Sequence, residues 1–400
     1  MPLVIPFFIP HQGCPQQCLF CNQHSITGEG EGQGRPSVAG AKDGAGATEG
    51  QGRPSVAGVK DGAGATEGHG RPGKRAGSET PSVAGATEGQ RGVAESVAAT
   101  IREWLARPRR PRRPPGMDEE RPQVAFFGGS FTCLPRGRQE ELLAAVQPFL
   151  ASGQVGCIRL STRPDCVDRE VCSFLLAHGV RIVELGVQSL DDRVLQASRR
   201  GHDADDSRRA VALLQEAGME VGVQLLPGLP LETTGSFLRT VREVVTLAPA
   251  FVRLYPVLVV EHAGLAEMYR RGEYRPLSMN RALALSCRAK ELLTAASIRV
   301  VRIGLQPSIA LERELLAGPY HPAFGELVAS RIWLKRIRPL LASCPLGKRV
   351  TIQISPRDIS AVVGMKRLNI QRFERLGVAD RLEIITDTNM KRGTLLYAVN

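Results

Sequence analysis

Three cysteines near the start of the chain, Cys14, Cys18 and Cys21, stand in GCPQQCLFCNQ, a Cys-x3-Cys-x2-Cys run on one short loop. Three thiolates this close can hold three irons of a cubane cluster. The fourth iron then has no protein ligand and stays open to substrate or cofactor, as at an open catalytic metal site. The same loop admits a second chemistry, a zinc site closed by His11 or His24. Further along, FFGGSF at 126–131 offers paired glycines where backbone could approach a ligand closely. Four arginines on apolar runs, Arg159, Arg163, Arg253 and Arg302, suit an anionic substrate or phosphate. Ion pairs with Glu184 or Asp165 are the alternative use for them.

Such groups need a scaffold that brings distant segments to one rim. Short β-rich runs lie at 3–9, 123–128, 156–161, 181–187, 220–226, 251–257 and 298–304. Helical patterns at 138–150, 168–178, 204–217 and 235–247 alternate with them. Apolar strands alternating with helices predict a parallel sheet covered by helices, here an α/β partial barrel in which functional groups gather at the C-terminal strand ends. The expected organisation is a first strand and cluster loop (1–27), an insertion (28–91), a helix with an Arg/Pro-rich linker (92–122), the rest of the barrel (123–330) and a small basic α+β domain (331–400). The insertion holds 18 of the 42 glycines and no Leu, Ile, Met, Phe, Trp, Tyr or Cys. Its GRPSVAGAKDGAGATEGQ segment recurs after 18 residues as GRPSVAGVKDGAGATEGH. With no apolar face to stack, it reads as disordered repeat expansion. The helix that follows is carried by Val93, Val97, Ile101 and Leu105.

The cysteine loop, with Phe20 before its last Cys and a strand ahead of it, resembles the cluster loop of radical S-adenosylmethionine (radical SAM) enzymes. FFGGSF is similar to the family's glycine motif, IRLSTRPD (158–165) to its third strand and VELGVQS (183–189) to its fourth. The likeness covers most of the chain outside 28–122 and is strongest to the Elongator-subunit branch, with the coproporphyrinogen-oxidase-like branch beside it; FVRLYPVLVV and HPAFGELV support the former. The resemblance implies a partial (β/α)6 TIM-like barrel, a 4Fe–4S cluster on Cys14, Cys18 and Cys21, and S-adenosyl-L-methionine held by Phe20, Gly128, Gly129, Ser130, Gln188, Arg200 and Gln224. It also implies an external electron donor and hydrogen abstraction from substrate by a 5′-deoxyadenosyl radical. Three departures matter. Ser130 stands where relatives often have Glu, EHAGLAEMY replaces a Gly-Thr-Pro-like turn, and the stretch after 330 is too short for an acetyltransferase domain. No catalytic residue beyond the cofactor sites is assigned.

The net charge of +12 is uneven, since residues 331–400 carry 14 basic and 5 acidic side chains. That surplus suits a phosphate-rich partner, with a solvated basic tail as the alternative; for an enzyme of the resembled family, tRNA or another anionic substrate is then expected, with a tRNA base as the target. A small-molecule or tetrapyrrole substrate is the competing expectation, and a zinc-binding nucleic-acid module the non-enzymatic one. VVGMKRLNIQ, with Met365, Lys366 and Arg367 after Gly364, resembles the GxxG turn of a KH domain, although Arg367 stands where the second Gly belongs. The chain has no run of about 18 apolar residues for a membrane span and no recognisable export signal. The expectation is therefore a cytoplasmic setting in which Cys133, Cys157, Cys166, Cys172, Cys287 and Cys344 stay thiols.

Overall fold

In the computed structural model the described residues are 2–9, 18–21, 92–107 and 121–400. Cys14, His11 and His24, the repeat segment 28–91 and the Arg/Pro-rich run that opens at Pro108 lie outside them.

Six parallel strands come first: β1 (Val4–Phe8), β2 (Gln123–Phe127), β3 (Cys157–Thr162), β4 (Val180–Gln188), β5 (Glu220–Leu225) and β6 (Phe251–Leu254). The two-residue β7 (Val259–Val260) leaves this sheet, and β8 (Arg299–Ile303) closes it in the order β1-β2-β3-β4-β5-β6-β8. All seven strands match the β-rich runs of the sequence, and every neighbouring pair is parallel. Strands β1 and β8 are edges, so the sheet is an open partial barrel, as expected. Parallel strands need crossovers, and helices such as Arg136–Ala144, Arg169–Ala177, Ala204–Glu216 and Thr234–Leu247 supply them. Val124, Phe126, Leu160, Val183, Leu185 and Val223 are fully buried beneath those helices. Phe237, Val241 and Val244 show how a crossover seats itself: they fall at i, i+4 and i+7 on one face of Thr234–Leu247, and all are 0% exposed. Burial of each is worth roughly 1.5–3 kcal/mol.

A register shift interrupts β4 against β5 between Leu185 and Gln188. Gln188 there has φ 67°, a left-handed conformation that costs a non-glycine residue on the order of 1–3 kcal/mol. Such an irregularity re-aims the side chain at a strand end.

After β8, the short β9 (Leu315–Ala317) pairs antiparallel with β7. The long helix Phe324–Ala342 follows. Its Phe324 and Val328 pack with Ala282 and Cys287, whereas Trp333, Ile337 and Leu341 join the core of the C-terminal sheet. The helix thus runs through the expected boundary at 330. The C-terminal sheet contains β10 (Val350–Ile354), β11 (Leu382–Thr386) and β12 (Leu395–Val399). β10 lies between the other two, parallel to β11 and antiparallel to β12. Alternation of Val350, Ile352 and Ile354, all fully buried, fixes which face of β10 meets the helices.

Candidate cofactor site

The described part of the cysteine loop, 18–21, is seated by backbone and packing. Leu19 N–H donates to Ser198 O at 3.2 Å, Leu265 N–H donates to Leu19 O at 2.8 Å, and Cys21 N–H donates to Cys18 O at 3.0 Å. Leu19 is buried among Val194, Leu229, Val257, Leu265 and Ala266, with the half-buried Phe20 against the same cluster. These contacts tie the loop to the segments after β4, β5 and β7, so the fold itself sets where Cys18 sits.

Cys18 is buried, and Arg200 Nη1 donates to its sulfur at 3.3 Å. The same guanidinium donates through Nη2 to Gly186 O at 2.7 Å. Gly186 is required at this point by close approach: a Cβ there would lie 2.8 Å from Arg200 Nη2 and 2.8 Å from Gln188 Nε2. Gln188 is 7% exposed and its Oε1 has no hydrogen-bond partner among the described residues. A buried acceptor without a donor is costly, which is the signature expected of a group that awaits a ligand. Cys18, Gly186, Gln188 and Arg200 therefore converge at the C-terminal end of β4.

The glycine motif sits at the end of β2. Gly128 has φ 92°, and a Cβ on it would meet Ile9 O at 3.1 Å, so both backbone and space call for glycine. Gly129 follows partly exposed and Ser130 is buried. The segment is fastened to the end of β3 by Thr132 Oγ1 and Thr162 Oγ1, 2.6 Å apart. It is fastened a second time by a Cys133–Cys166 disulfide with Cα atoms 5.5 Å apart. This corrects the expectation that both are thiols. They lie 33 residues apart in sequence but directly after neighbouring parallel strands, so the same rim receives both. Cys157, Cys172, Cys287 and Cys344 are thiols as expected, and burial raises the pKa of Cys287 to about 11.

Gln224 belongs to a second group. Its Nε2 donates to Glu184 Oε2 at 3.2 Å. Glu184 is 0% exposed and also pairs with Arg159 and with Arg253, whose Nε lies 2.8 Å from Oε2. Arg159 and Arg253 flank aromatic rings, 5.5 Å from Phe251 and 5.6 Å from Phe127. Arg163 forms a two-point pair with Asp165 at 3.0 and 2.8 Å. Three of the four arginines read as anion ligands are thus held by internal carboxylates, and Arg302 Nε donates to Gly304 O at 3.2 Å. Desolvation explains the pairing: a lone buried guanidinium is costly, and Glu184 and Asp165 stand within reach to neutralise it.

His202, which sequence reasoning passed over, lies two residues beyond Arg200 with its side chain fully buried. Its Nδ1 is 3.9 Å from Asp165 Oδ1. Burial, then the Arg200 charge, lowers its pKa to about 4, so the ring is neutral. No group of three or more metal-ligating side chains occurs among the described residues, and Cys14 is not one of those residues.

The family model of the radical SAM superfamily matches residues 117–244, and that of the radical SAM C-terminal domain matches 249–333. The chain is 33% identical over 162 residues to a tRNA uridine(34) acetyltransferase of Methanocaldococcus infernus, covering 39% of this chain and 30% of that protein. It is 30% identical over 238 residues to Elongator complex protein 3 of Mus musculus, covering 54% and 43%. Among solved structures, the archaeal Elp3 of Methanocaldococcus infernus with an N-terminal deletion superimposes with a TM-score of 0.51 at 26% identity, covering 61% and 59%. The chain spans less than half the length of these two sequence relatives.

Proposed function

The chain belongs to the radical S-adenosylmethionine superfamily, and on that premise we propose that it cleaves S-adenosylmethionine reductively and uses the product to modify a base of tRNA. The carrying observation is the reach of Arg200 from the segment after β4 to both the Cys18 sulfur and the Gly186 carbonyl, beside the unpartnered Oε1 of Gln188.

The donor set fits the implied groups. Cys18 and Cys21, with Cys14 from outside the described residues, would hold a 4Fe–4S cluster. When bound, the cluster supplies the electron that breaks the sulfonium C–S bond, and an external donor replenishes it. The remaining work falls to this chain. Backbone at Gly128–Ser130 and the side chains of Gln188 and Arg200 would orient the amino-acid end of S-adenosylmethionine, the guanidinium matching its carboxylate. Phe20 and Leu19 pack the loop so that water is kept from the site. Gln224, held by Glu184, would face the nucleotide from β5. Buried Glu184 keeps the Arg159 and Arg253 heads fixed in the barrel interior, leaving that trio one positive charge in excess.

The tRNA substrate rests on the relatives named for tRNA uridine and Elongator chemistry and on the basic surplus of residues 331–400. Family membership removes the zinc-module reading. The test is anaerobic turnover with dithionite, assayed for 5′-deoxyadenosine with and without total tRNA. Deoxyadenosine formation stimulated by tRNA, with a new modified nucleoside in the digested RNA, supports the proposal. Turnover that ignores tRNA shifts the substrate to a small molecule.

A further inference from the structure

The unit after the barrel carries a feature that cofactor cleavage does not use. Strand β10, helix Ile359–Val363, helix Leu368–Arg375 and β11 form a strand–helix–helix–strand unit whose two strands are parallel neighbours. The turn between its helices is Gly364-Met365-Lys366-Arg367. Gly364 has φ 78° and ψ 160°, Lys366 has φ 49° and ψ 33°, and Arg367 has φ 61° and ψ 24°. Arg367, standing where a KH-type turn has its second glycine, thus takes the left-handed backbone that a glycine would supply. Two non-glycine residues in this region cost about 1–2 kcal/mol each, so something must hold them there.

Asn369 does. It is 1% exposed, and the two N–H groups of its Nδ2 stand within reach of four acceptors, Ser330 O and Oγ at 3.0 Å, Val362 O at 3.1 Å and Ala361 O at 3.3 Å. Gly364 is pressed against the same pair; a Cβ on it would lie 2.9 Å from Ser330 Oγ. The turn is therefore clamped to the helix Phe324–Ala342 while Lys366 and Arg367 project into solvent. Neither is in an ion pair among the described residues. Met365 and Leu368, each about two-fifths exposed, give the basic tip apolar shoulders. Arg372 and Arg375 continue the charge along the following helix.

We propose that this turn clamps the backbone of a short single-stranded RNA segment, Lys366 and Arg367 meeting the phosphates and the apolar shoulders receiving unstacked bases. Charge complementarity selects a polyanion, since 14 cations face 5 carboxylates over 331–400. A rigid four-residue turn with exposed apolar flanks suits splayed bases better than a duplex. The choice of RNA rests on the tRNA reading above.

The test is fluorescence anisotropy of the full-length chain with a labelled, unstructured RNA octamer and its DNA counterpart over a salt series. Lys366→Gly/Arg367→Gly removes both charges and relaxes both strained residues. Its thermal midpoint should match or exceed the parent's, while RNA affinity falls about tenfold and the log–log salt slope falls by about 1.4. Arg367→Gly alone, which creates the Gly-x-x-Gly turn, should lose only part of that affinity. Unchanged affinity in the double variant, DNA binding as tight as RNA, or no octamer binding at low salt overturns the proposal. Octamer binding that depends on the turn while tRNA leaves deoxyadenosine formation unaffected upholds this site and refutes the tRNA reading. The reverse pattern refutes this site alone.

Discussion

Replacing Gly186 with Ala should disable the cofactor site without unfolding the chain. The added Cβ would stand 2.8 Å from both Arg200 Nη2 and Gln188 Nε2 and 3.6 Å from Thr162 O. The first two are ends of flexible side chains, so they yield, each by roughly 0.6 Å to reach ordinary contact. That shift takes Arg200 away from Gly186 O, now 2.7 Å from it, and loosens its hold at the Cys18 sulfur. A buried hydrogen bond from a charged donor is worth about 1.5–3 kcal/mol, which converts to roughly ten- to hundredfold. The assay is S-adenosylmethionine affinity of the anaerobically reconstituted protein, alongside iron content and far-UV circular dichroism. Affinity should fall by that factor with iron and fold retained. Affinity within twofold of the parent would refute the reasoning, because the Arg200–Gly186–Gln188 arrangement would then not be where the ligand binds.

Three further outcomes are expected. His202 has a folded pKa of about 4 against an ordinary value of 6.5; the unfolded chain therefore binds more protons between those values and stability rises with pH through that window. Acidification from pH 7 to pH 5 should cost about 2 kcal/mol that a His202→Gln variant does not lose, and urea unfolding at the two pH values measures the difference. Glu184→Ala leaves the Arg159 and Arg253 guanidiniums buried without their carboxylate and should cost about 3–5 kcal/mol in urea unfolding, whereas replacing all three with Met should recover most of it. Gly264→Ala would put a Cβ 2.6 Å from Leu19 Cδ2, displacing the seated loop, and should lower iron retained per chain after reconstitution.

The barrel was legible because each of its seven strands is a local apolar run. What depends on register was not. Cys133 and Cys166 meet only because β2 and β3 are neighbours, and of the two uses the sequence left open for Arg159, Arg163 and Arg253 the structure shows the pairing with Glu184 and Asp165. The hydrogen bond from Gln224 to Glu184 likewise joins side chains of neighbouring strands. His202 escaped notice because nothing in SRRGH signals full burial. Arg367 appeared to spoil a GxxG turn, until its positive φ showed the backbone keeping the glycine conformation without the glycine.

The central claim is that the three-cysteine loop leaves one iron open to S-adenosylmethionine beside Arg200. Electron paramagnetic resonance of the reduced, reconstituted protein tests it most directly. About four irons and four sulfides per chain are expected, with a cluster signal that changes when S-adenosylmethionine is added. In Arg200→Ala the same signal should need far more of that ligand to change. A signal indifferent to S-adenosylmethionine, or a chain that takes up zinc and no iron, would contradict it.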